Sequence, residues 1–176
     1  MAKTMPAIFI DRDGTVIEDV HYLSDIRDLR PFPGAGKALR MLRDAGFLVV
    51  LVTNQSGVAR GYFTVDFVRL THERLQEMTG FRFDGVYYCP HGPDDGCRCR
   101  KPEPGMIEQA AAELGIDVAS SYMIGDKPAD IELAARAGMK GVLVTTGYGA
   151  ETAGSANACI IADNIVEAAR MIASGA

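Results

Sequence analysis

The sequence lacks an apolar run long enough to cross a membrane, and it lacks an excess of positive charge. Its longest apolar run, at 47–52, is far shorter than the roughly 20 residues that span a bilayer. The net charge is −5, which disfavours a protein held to nucleic acid by phosphate contacts. Residues 1–6 lead directly into a strand-like stretch without the apolar segment of a signal peptide. We therefore expect a cytoplasmic protein with no nucleic-acid or membrane partner.

Length and composition are those of an ordinary globular protein. The chain has 176 residues, which is the size of a single domain, so we predict one domain over 1–176. Hydrophobic residues make up 48% and charged residues 23%, a balance that argues against disorder. No extended apolar interface is indicated, so we expect a monomer.

Strand-like and helix-like segments alternate along the chain. Short apolar runs predict strands at 7–10, 47–52, 85–88, 121–125, 141–145 and 158–161. Helical spacing and Gly or Pro ends predict helices at 34–45, 65–78, 104–114, 128–137 and 165–173, with Thr64 as a helix N-cap. This alternation predicts a three-layer, doubly wound α/β fold with a mostly parallel sheet covered on both faces. Residues 17–33 lack a clean period and are predicted to form a flap.

Polar clusters follow three of the predicted strands at the point where each strand ends. They are Asp11-Arg12-Asp13, Thr53-Asn54 and Gly125-Asp126. Ligands of open α/β sheets bind beyond the carboxyl ends of the strands, near the switch in strand order. We therefore expect carboxylates that are distant in sequence to converge at one edge of the sheet.

The segment Asp11-Arg12-Asp13-Gly14-Thr15 carries the first chemical signal. Side chains at positions i and i+2 of an extended segment point the same way, so Asp11 and Asp13 can address one site. With Asp126 and Asp130 they form an acidic cluster, and hard oxygen ligands of this kind suit Mg²⁺. The alternative is a solvated Asp-rich turn. An EF-hand is disfavoured because its glycine and its distal glutamate would be misplaced.

Four motifs in this order resemble the signature of haloacid-dehalogenase-type phosphohydrolases, over essentially the whole chain. They are Asp11-x-Asp13-Gly14-Thr15, Thr53, Lys101, and Gly125-Asp126-x-x-x-Asp130. The resemblance implies phosphoryl transfer in two steps. Asp11 would attack phosphorus and form an aspartyl-phosphate, while Asp13 would protonate the leaving oxygen and later activate water.

The resemblance also implies how the other motif residues act. Mg²⁺ would be held by the Asp11 carboxylate, the backbone carbonyl of Asp13 and Asp126, with Asp130 supporting the metal site. The residues implied to stabilise the phosphoryl group are Thr53, Arg100 and Lys101. The dull alternatives are a plain turn residue for Thr53 and a surface side chain for Lys101.

Cysteine is scarce, but three of the four cysteines fall within eleven positions. Cys89, His91, Cys97 and Cys99 supply three thiolates and one imidazole, a closed set that suits tetrahedral Zn²⁺ in a structural role. The predicted zinc loop covers 89–101 and would fix the adjacent phosphate-site residues. Free thiols or a disulfide are the alternatives. Cys159 stands apart, and we expect it in the core.

The zinc loop resembles a subfamily that acts either on a heptose bisphosphate or on histidinol phosphate. Segments 53–63, 99–106 and 120–127 are more similar to the heptose group, which implies a sugar-bisphosphate substrate whose product serves surface-glycan synthesis. The implied substrate contacts are Asp19, Val20, His21, Tyr22, Thr53, Asn54, Gln55, Ser56, Arg60, Arg100, Lys101 and Lys127. His21 and Arg12 stay open between a functional contact and an exposed side chain.

No stretch of the sequence is long enough for a large cap domain. Only the flap and the zinc loop could enclose a substrate, so we expect selectivity to come from loop contacts. Two rival functions remain open. They are a histidinol-phosphate phosphatase and a binding module that has kept the fold but lost turnover.

Overall fold

The computed structural model describes residues 4–155 and 157–175 and contains a six-stranded, wholly parallel sheet with helices on both faces. The predicted three-layer α/β class is confirmed. The predicted domain also includes residues 1–3, 156 and 176, which lie outside the described residues. Among the described helices, none is both long enough and apolar enough to cross a bilayer.

The order of the strands places the chain's first strand at the centre of the sheet. The strands are β1 (Ala7–Ile10), β2 (Leu48–Asn54), β3 (Gly85–Cys89), β4 (Tyr122–Gly125), β5 (Lys140–Val144) and β6 (Ile160–Ala162). Their order in the sheet is β3-β2-β1-β4-β5-β6. The chain therefore winds outward from β1 in one direction and from β4 in the other. The switch point between β1 and β4 is where a doubly wound sheet offers a crevice.

Except for α5, the helices begin and end where the sequence predicts to within about one residue. They are α1 (Ala35–Asp44), α2 (Val65–Thr79), α3 (Gly105–Leu114), α4 (Pro128–Ala137), α5 (Gly149–Thr152) and α6 (Ile165–Ala173). The predicted N-cap of α2 is confirmed, because the Thr64 hydroxyl accepts a hydrogen bond from the backbone N–H of Phe67 at 3.2 Å. Pro128 opens α4, as the missing N–H of proline allows at a first turn.

Alternate side chains of the central strand bury into opposite layers. Ile8 and Ile10 of β1 pack into the cluster that includes α1 and α6, whereas Ala7 and Phe9 pack into the cluster that includes α3 and α4. All four side chains are fully buried. A strand that is apolar on both faces must be covered on both faces, which fixes it in the interior of the sheet.

The final third of the chain departs from the sequence prediction in small ways. The short helix α5 is unpredicted, and β6 lies one to two residues further along the chain than expected. The prediction that Cys159 belongs to the core is wrong, since its side chain is exposed. Cys159 precedes β6, which is an edge strand, so only one neighbouring strand covers it.

The segment at 17–33 lies outside the sheet and is anchored to it by apolar side chains. Ile17, Leu23 and Leu29 are buried in the same cluster as α1 and α6. A single 3₁₀ turn at Ile26–Asp28 is the only helix of this segment that the structure describes. The segment therefore stands at the edge of the crevice with its inner side held by the core.

Candidate active site

Three buried carboxylates meet at the carboxyl edge of the sheet, beyond the switch point. Oxygens of Asp11, Asp126 and Asp130 all lie within 4.8 Å of one another. Asp11 directly follows β1, and its backbone N–H donates to the carbonyl of Ile124 in β4 at 2.9 Å. Pairing of these two strands brings together carboxylates that lie in distant parts of the sequence.

Lys101 compensates part of this negative charge. Its Nζ lies 2.9 Å from Asp11 Oδ1, 2.7 Å from Asp130 Oδ1 and 3.0 Å from the carbonyl oxygen of Val52. Burial opposes the charged form, but the two carboxylates outweigh it and raise the pKa of Lys101. Asn54 holds the lysine backbone on both sides, because its amide donates to the Lys101 carbonyl and accepts from the Lys101 N–H.

Asp126 has one oxygen satisfied by the protein and one without a partner. Its Oδ2 accepts from the backbone N–H of Tyr148 at 2.9 Å. Its Oδ1 is buried and has no hydrogen-bond partner within the part of the chain that the structure describes. Burial and the nearby Asp11 carboxylate raise the pKa of Asp126 to about 7. An unpartnered buried carboxylate oxygen beside two further carboxylates is a donor set that suits a cation.

Two glycines allow the backbone to close around Asp126. Gly14 and Gly147 both have positive φ, and a Cβ at either would lie 2.2–2.3 Å from Asp126 Oδ2. Any larger residue at either position would displace the carboxylate. The turn after β1 and the turn after β5 therefore hold Asp126 between them.

Asp13 lines the same small pocket as Asp11 and is held by two neighbours. Arg12 donates to both of its carboxylate oxygens, at 3.1 and 3.2 Å, and Gln55 Nε2 donates to Oδ2 at 2.9 Å. The alternative of an outward-pointing Arg12 is wrong, since its side chain is 2% exposed. Among the residues at this edge, Arg12 and Asp13 thus form one rigid unit with Gln55.

A cavity of about 310 Å³ opens in front of Asp13. Most of the predicted substrate contacts line it. They are Asp19, His21, Tyr22, Asn54, Gln55, Ser56, Arg100, Lys101 and Lys127. A smaller pocket of about 50 Å³ beside it is lined by Asp11 and Asp130, together with several of the same side chains.

Three predicted contacts lie outside the lining of the larger cavity. Thr53 is buried and accepts a hydrogen bond from Gln55 Nε2 at 2.9 Å. Val20 is 37% exposed. Arg60 stacks over the ring of Tyr22, with its guanidinium carbon 5.9 Å from the ring centre.

The cavity also has lining residues that sequence reasoning missed. They are Leu23, Gly57, Phe63, Ala129 and Tyr148. Tyr148 contributes both a ring at the cavity wall and the backbone N–H that binds Asp126. Its position in the polar loop after β5 was a usable signal, because every strand of a parallel sheet ends at the same edge.

Two further cations stand at the cavity. Lys127 Nζ donates to Asp19 Oδ2 at 3.0 Å and lies 5.1 Å from the centre of the Tyr148 ring. Although burial opposes it, the charge of Asp11, Asp126 and Asp19 raises the pKa of Lys127. Arg100 donates one hydrogen bond, at 3.3 Å, to the carbonyl of His91. The side chain of His21 is exposed at the rim, and its backbone N–H donates to Asp19 Oδ1.

The Cys/His loop gathers four soft ligands beside the phosphate-site residues. One ligand atom each from Cys89, His91, Cys97 and Cys99 lies within 4.8 Å of the other three. Burial raises the pKa of Cys89. Burial also opposes ionisation of Cys97, but hydrogen bonds from Cys89 and Cys99 outweigh it and lower the pKa of Cys97 to about 7. Three thiols and an imidazole gathered this closely form a set suited to a tetrahedral metal.

The fold and this site define a hydrolase of the haloacid dehalogenase type. A haloacid dehalogenase-like hydrolase model matches residues 8–78, and a HAD-hydrolase-like model matches residues 98–168. With the full-length relatives described next, these matches show that the chain belongs to the haloacid dehalogenase-like hydrolases. The chain is accordingly an enzyme.

Named relatives in this family cover nearly the whole chain. A protein of Haemophilus ducreyi is 46% identical over 172 residues, which is 92% of this chain and 94% of the relative. A protein of Escherichia coli K12 is 47% identical over 160 residues, with 84% and 83% of the two chains covered. Both are named D-glycero-beta-D-manno-heptose-1,7-bisphosphate 7-phosphatase.

A solved structure shares the fold closely. The D,D-heptose 1,7-bisphosphate phosphatase of B. bronchiseptica, complexed with magnesium and phosphate, superposes with a TM-score of 0.90. It is 35% identical, and the match covers 98% of this chain and all of that one. The similarity therefore extends to the elements that carry the site.

Proposed function

We propose that this chain removes the C7 phosphate of D-glycero-D-manno-heptose 1,7-bisphosphate and releases heptose 1-phosphate and inorganic phosphate. The observation that carries the proposal is the convergence of Asp11, Lys101, Asp126 and Asp130 beside a cavity lined by cations. Relatives that cover more than four-fifths of the chain and bear the name of this activity support the substrate.

In the first step, the Asp11 carboxylate attacks phosphorus. A bond forms between Asp11 and phosphorus, the bond from phosphorus to the C7 oxygen breaks, and Asp13 gives its proton to that oxygen. Two anions repel each other, so this attack needs positive charge in place beforehand. Lys101, buried against Asp11, supplies part of it.

In the second step, Asp13 takes a proton from water, and the water oxygen attacks the phosphorus of the aspartyl-phosphate. Phosphate leaves and Asp11 is regenerated. Thr53 and Lys101 hold the phosphoryl oxygens in both steps. Arg100 binds the phosphate that stays on C1, because a guanidinium matches phosphate geometry.

The remaining predicted contacts, most of which line the cavity, bind the sugar. The proposed contacts are Asp19, Val20, His21, Tyr22, Asn54, Gln55, Ser56, Arg60 and Lys127. With 17–33 and 89–101 as the two loops that border the site, selectivity comes from these loops.

The residues at the sheet edge fit Mg²⁺. Asp126 Oδ1 is buried and unpartnered among the described residues, and three carboxylates face one another. We propose that the Asp11 carboxylate, the Asp13 backbone carbonyl and Asp126 hold the ion, while Asp130 fixes Lys101 beside them. Bound Mg²⁺ supplies positive charge that offsets the repulsion between carboxylate and phosphate.

We further propose structural Zn²⁺ at Cys89, His91, Cys97 and Cys99. A closed set of four protein ligands leaves no position for a reacting water, so this ion would order the loop rather than take part in hydrolysis. Thiols available for zinc suit a reducing compartment, and we propose the cytoplasm. We also propose that the protein is a monomer with a single domain over 1–176. Its product, heptose 1-phosphate, would serve the synthesis of nucleotide-activated heptose for surface glycans.

Phosphate release tests the proposal directly. Purified protein is incubated with each C1 anomer of the heptose bisphosphate and with histidinol phosphate, with and without Mg²⁺. We expect Mg²⁺-dependent release from a heptose bisphosphate at a kcat/KM well above that for histidinol phosphate. Faster release from histidinol phosphate would reverse the substrate assignment, and binding without any release would indicate a non-catalytic module.

A further inference from the structure

Arg12 is an arginine at the reaction site whose donors are all in use. Its side chain is 2% exposed, although it stands between two aspartates on the cavity wall. A guanidinium has five N–H donors. Two bind the Asp13 oxygens, a third binds Gln55 Oε1 at 2.9 Å, and two face Thr71 Oγ1 at 3.2 Å and His72 Nε2 at 3.4 Å.

This saturation excludes the usual role of an arginine beside a phosphate site. With no free N–H, Arg12 has nothing to offer a phosphoryl oxygen unless an existing bond breaks. We propose instead that Arg12 is a positioning residue, which together with Gln55 fixes the plane of the Asp13 carboxylate for proton transfer. The inference rests on the proposed function, because it assumes that Asp13 handles the proton.

The far side of the guanidinium is anchored on helix α2. The Thr71 hydroxyl donates its own proton to the carbonyl of Val68 at 2.7 Å, so its lone pairs face Arg12. Burial and the charge of Arg12 lower the pKa of His72 to about 3, so the ring is neutral and its Nε2 can accept a hydrogen bond from Arg12. Both groups of α2 are therefore acceptors, and the cation is held from behind by the helix.

Gln55, which directly follows β2, completes the unit. Its amide oxygen accepts from Arg12, while its amide nitrogen donates to Asp13 Oδ2 and to Thr53 Oγ1, each at 2.9 Å. Both ends of the amide are engaged, so it cannot flip without losing these bonds. Asp13 is thus oriented by three donated hydrogen bonds from two side chains.

Orientation of a proton donor matters most when the leaving group is poor. An alkoxide such as the C7 oxygen needs its proton as the bond to phosphorus breaks, whereas p-nitrophenolate leaves readily without one. A misplaced acid therefore lowers kcat/KM for the sugar phosphate more than for p-nitrophenyl phosphate. General acid catalysis contributes about 10²–10⁴-fold, which sets the scale of the expected loss.

The test is Arg12→Lys, which keeps the charge and removes the planar fork. We expect kcat/KM for the heptose bisphosphate to fall on the order of 10²-fold. We expect kcat/KM for p-nitrophenyl phosphate to fall by less than about tenfold. Thermal unfolding of each variant shows whether it is folded. Equal losses on the two substrates would show a merely structural arginine. No wild-type activity on the bisphosphate would contradict the proposed function, whereas wild-type activity with equal losses contradicts only the role of Arg12.

A second pair of variants keeps the inference testable should Arg12→Lys fail to fold. Thr71→Val removes one anchor of the guanidinium at similar volume, and Thr71→Ser retains the hydroxyl as the matched control. We expect the valine variant to lower the activity ratio of bisphosphate to p-nitrophenyl phosphate and the serine variant to restore it. An unchanged ratio in the valine variant would overturn the anchoring by α2.

Discussion

At the scale of single residues, two arginines beside the same cavity have opposite hydrogen-bonding states. All five N–H donors of the Arg12 guanidinium face acceptors of the protein. Arg100 donates one hydrogen bond, to the carbonyl of His91, among the described residues. An arginine with free donors can bind an anion, and one without them can only orient its neighbours. The contrast supports the proposal that Arg100 recognises the second phosphate.

Arg100→Ala therefore tests selectivity. We expect kcat/KM for the bisphosphate to fall about 10- to 100-fold, the range of one or two charge-assisted hydrogen bonds, with little change for p-nitrophenyl phosphate. Arg98→Ala is the matched control, since Arg98 pairs with Glu108 and does not line the cavity. Equal losses on the two substrates in Arg100→Ala would remove it from recognition of the second phosphate.

The acidic residues could be identified from the sequence, but the hydrogen-bond partners of Arg12 could not. Asp11, Asp13 and Asp126 follow strands in recognisable motifs, so their meeting at one edge was predictable. The partners of Arg12 include Thr71 and His72, about sixty positions away on a helix with no motif of its own. Which face of α2 turns toward β1 is decided by packing, which a single sequence does not show.

At the scale of elements, long periodic segments were predictable and short ones were not. Helix α4 runs from Pro128 to Ala137 as predicted, because proline starts it and Gly138, at positive φ, ends it. Helix α5 covers only Gly149–Thr152, too short to show a helical period. Edge strand β6 has three residues and alternating burial, so its boundaries carry little signal.

The Cys/His loop is the element whose order we expect to depend on a metal. Cys97→Ser should lower the bound zinc and the thermal unfolding temperature, because it removes one of the four ligands. It should also lower activity indirectly, because Arg100 and Lys101 would be displaced. Elemental analysis and thermal unfolding measure both effects. Cys159→Ser, at an exposed position outside the loop, should change neither. Zinc absent from gently prepared wild-type protein would contradict the assignment.

Helix α2 carries a buried histidine whose pKa is lowered. The pKa of His72 is lowered from 6.5 to about 3, chiefly by burial. Below pH 6.5 the unfolded chain takes up this proton while the folded chain does not, so folding loses stability as pH falls. The contribution is about 1.4 kcal/mol for each pH unit.

His72→Gln keeps an acceptor for Arg12 and removes the titration. Urea unfolding from pH 7 to pH 4 should show a free energy of unfolding that falls less steeply for the variant than for the wild type, with the two curves parallel above pH 6.5. Curves that stay parallel down to pH 4 would mean that His72 protonates inside the folded protein.

At the scale of the whole molecule, the order of the strands explains where the chemistry lies. β1 and β4 are neighbours at the switch point, and the loops after β1, β2, β4 and β5 all open at the same edge. The alternation of strands and helices predicted this edge. The sequence could not predict the shape of the cavity, because residues such as Leu23 and Phe63 reach it only through the packing of loops.

Rapid quenching of the enzyme during turnover of a ³²P-labelled substrate, followed by peptide mapping, tests the central claim most directly. We predict label on the peptide that contains Asp11, and no label in Asp11→Asn protein that unfolds at the wild-type temperature. Label on any other residue, or steady turnover in the Asp11→Asn variant, would contradict the account.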